Sequence, residues 1–155
     1  MTRPSKKLLL RWLRYSTVAA FAFIPPAVAL LLLSAPAYSL EPGCYVNLSI
    51  EVVDGDTVRI ESGTVRLGGF DTPETHRPEC EDERAWGQRA TDRLTELLGS
   101  HATELCITNA ECNWGRPCGH LSVRMDGYLI DVGAILVSEG LAIPFVGSMG
   151  DWCDG

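Results

Sequence analysis

Lysine is missing from this chain beyond Lys7, and aromatic residues make up only 8% of its 155 residues. Residues 40–155 contain all 20 acidic side chains and eight arginines, so this part of the chain carries 12 net negative charges. Non-specific binding to nucleic acid relies on many contacts between cations and phosphates. The composition therefore argues against a broad basic binding face, and any contact with phosphate must be local and metal-assisted.

Acidic residues are also missing from residues 1–39, and this segment predicts an export signal. Five basic residues lead into an uncharged run rich in alanine and leucine, which is followed by mostly small residues. This order is typical of a cleaved signal peptide. A membrane anchor at residues 17–34 is the alternative, although Pro25 and Pro26 interrupt the apolar run. We expect an exported protein, secreted or periplasmic or else membrane-anchored, with its domain at residues 44–155.

Cys-x-x-Cys pairs are absent and only three histidines occur, which argues against a zinc site. The six cysteines all follow the leader, and an even number in an exported chain of this size predicts three disulfides. Several pairings are open to six cysteines. We favour Cys106 with Cys118, which would join two neighbouring strands.

The order of turn residues and periodic segments predicts a small barrel. Alternating apolar and polar residues between turn residues predict five strands, at residues 44–53, 57–61, 64–67, 104–108 and 120–125. Helices are predicted at residues 84–98 and 132–139, the second capped by Asp131, and a long loop at residues 109–119. Three strands, a helix, two strands and a helix is the order of the oligonucleotide-binding (OB) barrel. We expect an α+β, mostly β, five-stranded OB-like barrel with two or three helices, braced by disulfides.

Four short segments contain the polar side chains that a catalytic site would need. They are Asp54-Gly55-Asp56-Thr57, Arg66, Asp71-Thr72-Pro73-Glu74 and Trp114-Gly115-Arg116. Each segment alone has an ordinary structural explanation, and Asp-Gly-Asp is first of all a hairpin turn. Together, paired carboxylates and a backbone carbonyl suit a hard cation such as calcium. A further carboxylate and two arginines could activate water and stabilise a phosphodiester transition state.

In order and spacing these segments resemble the staphylococcal nuclease (thermonuclease) family. The resemblance covers about residues 52–143, through VVDGDTVRI, VRLGGFDTPET, a Gly-x-x-Ala helix start, WGR and DVGAILVSEGLA. It implies a barrel with helices and a calcium-dependent phosphodiesterase that cleaves DNA or RNA to leave 3′-phosphate ends. It also implies that calcium is held by Asp56, by Asp71 and by the backbone carbonyl of Thr72.

The resemblance implies the remaining roles as well. Glu74 would position or deprotonate the attacking water, and Arg66 and Arg116 would bind the phosphate and stabilise its transition state. Trp114, in place of the family's tyrosine, would stack on a base. Nucleic acid is then the substrate, no obligate protein partner is implied, and we expect a monomer.

A binding module is the alternative interpretation of the same residues. The barrel could keep its turn residues for structure while having little or no turnover, since a fold does not by itself specify an activity. DNA or RNA cleavage with calcium, compared with cleavage in the presence of a chelator, discriminates between the two.

Overall fold

A computed structural model of the chain describes residues 41–112, 115–147 and 150–153. The predicted export signal and Trp114 lie outside these ranges. Within them the strands are β1 (Gly43–Val46), β2 (Glu51–Val52), β3 (Thr57–Ile60), β4 (Gly63–Leu67), β5 (Phe70–Asp71), β6 (Thr103–Cys112), β7 (Arg116–Met125), β8 (Tyr128–Asp131) and β9 (Ile143–Pro144). The helices are α1 (Glu81–Ser100) and α2 (Val132–Ser138). Neither of these two helices is long and apolar enough to cross a membrane.

Seven of these strands form one curled sheet in the order β1-β6-β7-β4-β3-β2, with β8 also paired to β7. Neighbouring strands are antiparallel except β4 and β7, which run parallel through Arg66 opposite Cys118 and Leu67 opposite Gly119. Strands β5 and β9 form a separate pair. The parallel contact places the beginning of β7 beside the end of β4.

The core follows from the two periodicities of the sequence. Alternate residues are buried in β3 (Val58), β4 (Val65) and β7 (Val123), as expected for strands with one face inward. On α1, Leu94 and Leu97 lie on one face three residues apart and are both buried. Each such side chain contributes about 1.5–3 kcal/mol by leaving water, so the core supports both the sheet and α1.

The mostly β architecture with two helices agrees with the sequence-based prediction within the described residues, but the five-strand count is not confirmed. The predicted first strand is divided, because β1 pairs with β6 whereas β2 pairs with β3. Asn47, between them, has a left-handed backbone conformation (φ 58°) that asparagine tolerates better than most residues. Strands β5, β8 and β9 were not predicted, since each is short or lacks clear alternation.

The predicted long loop at residues 109–119 is wrong. Strand β6 continues to Cys112 and β7 begins at Arg116, so the two form a hairpin with a register shift between Ile107 and Glu111. The bulge hides the strand period in this polar stretch, which is why the alternation was not recognised.

Helix α1 also begins earlier than predicted, at Glu81. Its first residues are acidic, which suits the positive end of the helix dipole. The preceding Cys80 acts as the cap, because its Sγ accepts a hydrogen bond from the N–H of Glu83. The cap of α2 is as predicted: Asp131 accepts from the N–H of Ala134 at 3.0 Å.

Three disulfides form, but the predicted pairing of Cys106 with Cys118 is wrong. The bonds are Cys44–Cys106, Cys80–Cys153 and Cys112–Cys118. Strand β1 lies against β6 with Cys44 directly opposite Cys106, so this partner is already in contact. Cys118 instead bonds to Cys112 across the β6–β7 hairpin.

Candidate functional site

The turn between β2 and β3 buries the carboxylate of Asp56, which is 1% exposed. The main-chain carbonyl of Asp56 accepts a hydrogen bond from the N–H of Leu67 at 2.7 Å, which fixes the turn to the end of β4. A Cβ atom at Gly55 would lie 2.8 Å from side-chain atoms of both Ala90 and Thr72. Glycine therefore allows α1 and the segment after β5 to pack directly on this turn.

Arg66 of β4 joins the two aspartates of the site. Its Nη1 contacts Oδ1 of Asp56, and its Nη2 lies 2.8 Å from Oδ1 of Asp71. Both carboxylates are almost completely buried, while the arginine side chain is 14% exposed. One planar guanidinium thus bridges acids from two strand ends, a geometry that lysine could not reproduce.

Every carboxylate oxygen of the two aspartates accepts at least one hydrogen bond. Asp56 accepts from the hydroxyl of Thr57 and the N–H of Thr72, each at 3.2 Å. Asp71 accepts on Oδ2 from the N–H of Gly150, also at 3.2 Å. These bonds orient both acids. Two of the donors, Thr72 and Gly150, are distant in sequence from the acid that each contacts.

Burial raises the pKa of Asp56 from its ordinary value of 3.8 to about 7. The neighbouring Arg66 opposes this shift, and the negative charge of Asp54 adds to it. Arg66 alone therefore does not compensate for the buried negative charge. A further cation near Asp56 would favour its ionised form.

The donor set fits calcium. Asp56, Asp71 and the carbonyl of Thr72 offer only oxygen ligands, and two of the three are carboxylates, as a hard cation requires. Within the described ranges, one group of three side chains with potential metal-ligand atoms lies close together. It consists of Cys44, Glu104 and Cys106. Its two cysteines are joined in a disulfide, so it is not a metal site.

An open cavity of about 900 Å³ lies above the aspartates, and Glu74 is exposed on its wall. The segment that carries Glu74 is held by Glu83 of α1, a buried carboxylate that accepts hydrogen bonds from the N–H groups of Glu74 (3.3 Å) and Glu79. A Cβ atom at Gly87 would lie 2.6 Å from the carbonyl oxygen of Pro73. The first turns of α1 thus position Glu74. The sequence-based prediction does not include Glu83, because the predicted helix begins only at residue 84.

Arg116 lines the same cavity as Arg66. Its Nη1 lies 3.5 Å from the hydroxyl of Thr57, and it begins strand β7 rather than lying in a loop. Parallel pairing of β4 with β7 brings the two arginines to one side of the sheet. The structure therefore gathers Arg66, Asp71, Thr72, Glu74 and Arg116 around one opening, with Asp56 buried beneath it.

Two further segments line the cavity and were not expected from the sequence. His76 and Arg77 come from the segment after Glu74, and residues 150–153 reach the opening from the C-terminal end, with Trp152 among them. In the sequence, only Cys153 indicated that residues 150–153 could lie near the site. Its bond to Cys80 holds these residues at the cavity. Loops joined by a distant cysteine pair cannot be located before that pairing is known.

Fold and site define a mostly β domain in which carboxylates and arginines converge on one open cavity suited to a hard cation and a phosphate group. A family model described as staphylococcal nuclease homologue matches residues 64–149. The chain belongs to this family, which supports a nuclease or nucleic-acid-binding function. No curated protein matches the chain at a significant level. The matched segment begins after Asp56, yet the structure places Asp56 against Arg66, which also contacts Asp71.

Proposed function

We propose that this protein is an exported, calcium-dependent nuclease that hydrolyses phosphodiester bonds of DNA, RNA or both. The bridge from Arg66 to the buried Asp56 and Asp71 beneath an open cavity is the observation that carries this proposal. The basic and apolar leader supports export, and so does the absence of free cysteines in the described part of the chain.

Asp56, Asp71 and the carbonyl of Thr72 would hold calcium. When bound, calcium supplies a Lewis acid for a phosphoryl oxygen. Arg66 is paired with both acids in the structure, so phosphate binding would require it to exchange part of its carboxylate contacts for phosphate oxygens. The planar fork can make this exchange without changing its charge.

Glu74 has the position of a general base, because it is exposed on the cavity wall while its backbone is held by Glu83. It would take a proton from the attacking water as the oxygen of that water bonds to phosphorus. The bond from phosphorus to the 5′-oxygen would then break with its electron pair on that oxygen, which takes up a proton from solvent to become a 5′-hydroxyl, while the other fragment keeps a 3′-phosphate. Arg116 would stabilise the charge that develops on the phosphoryl oxygens.

A nucleic-acid-binding module without turnover is the second candidate. One observation favours it: both carboxylates among the proposed calcium ligands are already paired with Arg66, and a cation would have to disturb these pairs. Binding of DNA or RNA that is insensitive to calcium, with no cleavage, would identify this module.

The test is cleavage of labelled DNA and RNA by the disulfide-bonded protein, with calcium and then with a chelator. Asp56→Ala and Asp71→Ala each remove a ligand, so we expect activity to fall about a hundredfold or more together with calcium binding measured by calorimetry. Asp92→Ala is the control, since Asp92 is exposed on α1 and hydrogen-bonded to Gln88. Full activity in both site variants would contradict the metal assignment.

A further inference from the structure

Among the described residues, one arginine has no hydrogen bond, ion pair or ring contact. The other seven arginines of the described residues have partners: Arg59 with Glu51, Arg66 with two aspartates, Arg84 with Glu81, Arg89 with the Trp86 ring, Arg93 with Glu96 and Glu139, Arg116 with Thr57, and Arg124 with a carbonyl. Arg77 has no hydrogen bond or ion pair within the described ranges, and it is exposed. In an acidic domain, such a cation is available to an anionic ligand.

The position of Arg77 indicates which ligand. It lines the cavity that also contains Arg66 and Arg116, so three of the eight described arginines face one opening. A cavity of about 900 Å³ exceeds what one phosphate needs and is within the range of about 300–1,000 Å³ found for larger ligands. Arg77 is therefore placed to bind an anionic group of a ligand that occupies the cavity together with Arg66 and Arg116.

The C-terminal segment forms the wall next to Arg77. The Cys80–Cys153 disulfide links residues 150–153 to the segment that carries Arg77, and both segments line the cavity. We call residues 76–80 and 150–153 together the disulfide-linked wall. Its aromatic side chain is Trp152, and no other phenylalanine, tyrosine or tryptophan of the described residues lines the cavity.

The indole of Trp152 is not held by a hydrogen bond. Its Nε1 is buried and has no acceptor among the described residues, and an atom of this ring lies close to the backbone of Gly150. A shift of the ring against a ligand would therefore break no hydrogen bond. Aromatic rings of this kind stack on nucleobases of any sequence.

We propose that the disulfide-linked wall is a nucleotide subsite beside the arginines that bind the scissile phosphate. Arg77 pairs with the neighbouring phosphate of the strand, and Trp152 stacks on its base. The inference rests on the proposed function for the identity of the polymer, but binding at the wall does not require turnover.

The test is equilibrium binding of two probes to the full-length, disulfide-bonded protein with calcium, in a Glu74→Gln background that suppresses cleavage. One probe is a labelled single-stranded trinucleotide, and the other is a mononucleotide with one phosphate, which lacks the neighbouring phosphate. Arg77→Ala and Trp152→Ala should each weaken trinucleotide binding about tenfold and change mononucleotide binding less than about twofold. Trp152→Phe, which keeps a ring without the N–H, should restore most of the binding. The matched control is Arg84→Ala, since Arg84 is exposed and paired with Glu81 away from the cavity.

Equal losses for both probes would overturn the subsite, because Arg77 would then serve the same phosphate as Arg66. Unchanged trinucleotide binding in both variants would overturn it as well. If the parent protein cleaves nucleic acid but neither variant alters trinucleotide binding or KM, only the subsite fails. If the parent protein neither binds nor cleaves nucleic acid, the proposed function fails and the subsite fails with it.

Discussion

The main-chain N–H of Gly150 donates a hydrogen bond to Oδ2 of Asp71 at 3.2 Å, across 79 positions of sequence. The other carboxylate oxygen of Asp71 contacts Arg66, so the C-terminal segment and β4 hold the same acid. The Cys80–Cys153 disulfide fixes this segment to the start of α1. Residues 150–153 are therefore part of the site.

Removal of this disulfide should cost more stability than removal of the hairpin disulfide. The cysteines are 73 positions apart in Cys80–Cys153 and 6 apart in Cys112–Cys118. Loop-closure entropy then predicts losses of about 4 and about 2 kcal/mol for the double serine variants. Urea unfolding of both variants measures the difference, and an equal or reversed order would show that strain or residual unfolded structure dominates.

Replacement of Arg66 and replacement of Arg116 should affect kcat and KM differently. Arg116→Ala should lower kcat about a hundredfold with little change in KM, because a group that acts on developing charge contributes only in the transition state. Arg66→Ala should alter both constants, since it also leaves Asp56 and Asp71 without their shared cation. Steady-state kinetics with saturating calcium measure this. Arg124→Ala, on the same strand as Arg116 but bonded to the carbonyl of Gly127, is the control. Near-normal turnover of Arg116→Ala would remove Arg116 from the mechanism.

Stability of the calcium-free protein should depend on pH through Asp56. Its pKa is raised by burial from 3.8 to about 7, so between these values the folded protein keeps a proton that the unfolded chain has released. The free energy of unfolding should therefore fall as pH rises from about 4 to about 7. Asp56→Asn cannot titrate and should flatten this part of the curve. Urea unfolding with chelator across that range is the measurement, and identical slopes in both proteins would contradict the assignment.

The close contact at Gly87 should matter for activity. Gly87→Ala puts a methyl group against the carbonyl of Pro73, which must move and carry Glu74 with it. We expect a loss of about 1–3 kcal/mol in stability and a fall in kcat of up to about a hundredfold. Gly99→Ala is the control on the same helix, because a Cβ atom there meets nothing within 4 Å. It should raise stability by about 0.5–1 kcal/mol and leave kcat unchanged. Equal kcat values for the two variants would show that Gly87 does not position Glu74.

Much of the local structure could be predicted from residues close together in the chain. The turn at Asp54-Gly55-Asp56, the cap of α2 at Asp131 and the alternation in β3 and β4 all appear where expected. The β6–β7 hairpin was missed because its bulge interrupts the alternation on which strand prediction depends. The early start of α1 was missed because Cys80 is not a usual cap.

The candidate site likewise contains residues that the sequence indicated and residues that it did not. The order of Asp56, Arg66, Asp71 and Glu74 along the chain indicated a metal-assisted phosphodiesterase, and the structure gathers these residues at one cavity. Glu83, Arg77 and Trp152 gave no such signal. An acid at a helix start, an exposed arginine and a tryptophan near the end of a chain each have ordinary explanations until their neighbours are known.

The strand periods, the turns, the cap of α2 and the family resemblance follow from local sequence, since each depends on residues a few positions apart. The pairing of the cysteines, the position of Arg116 beside Arg66 and the bond from Gly150 to Asp71 follow from tertiary contacts. These contacts join segments that are dozens of residues apart. They form only when the parallel pairing of β4 with β7 and the packing of α1 bring those segments together, and no local pattern encodes that choice.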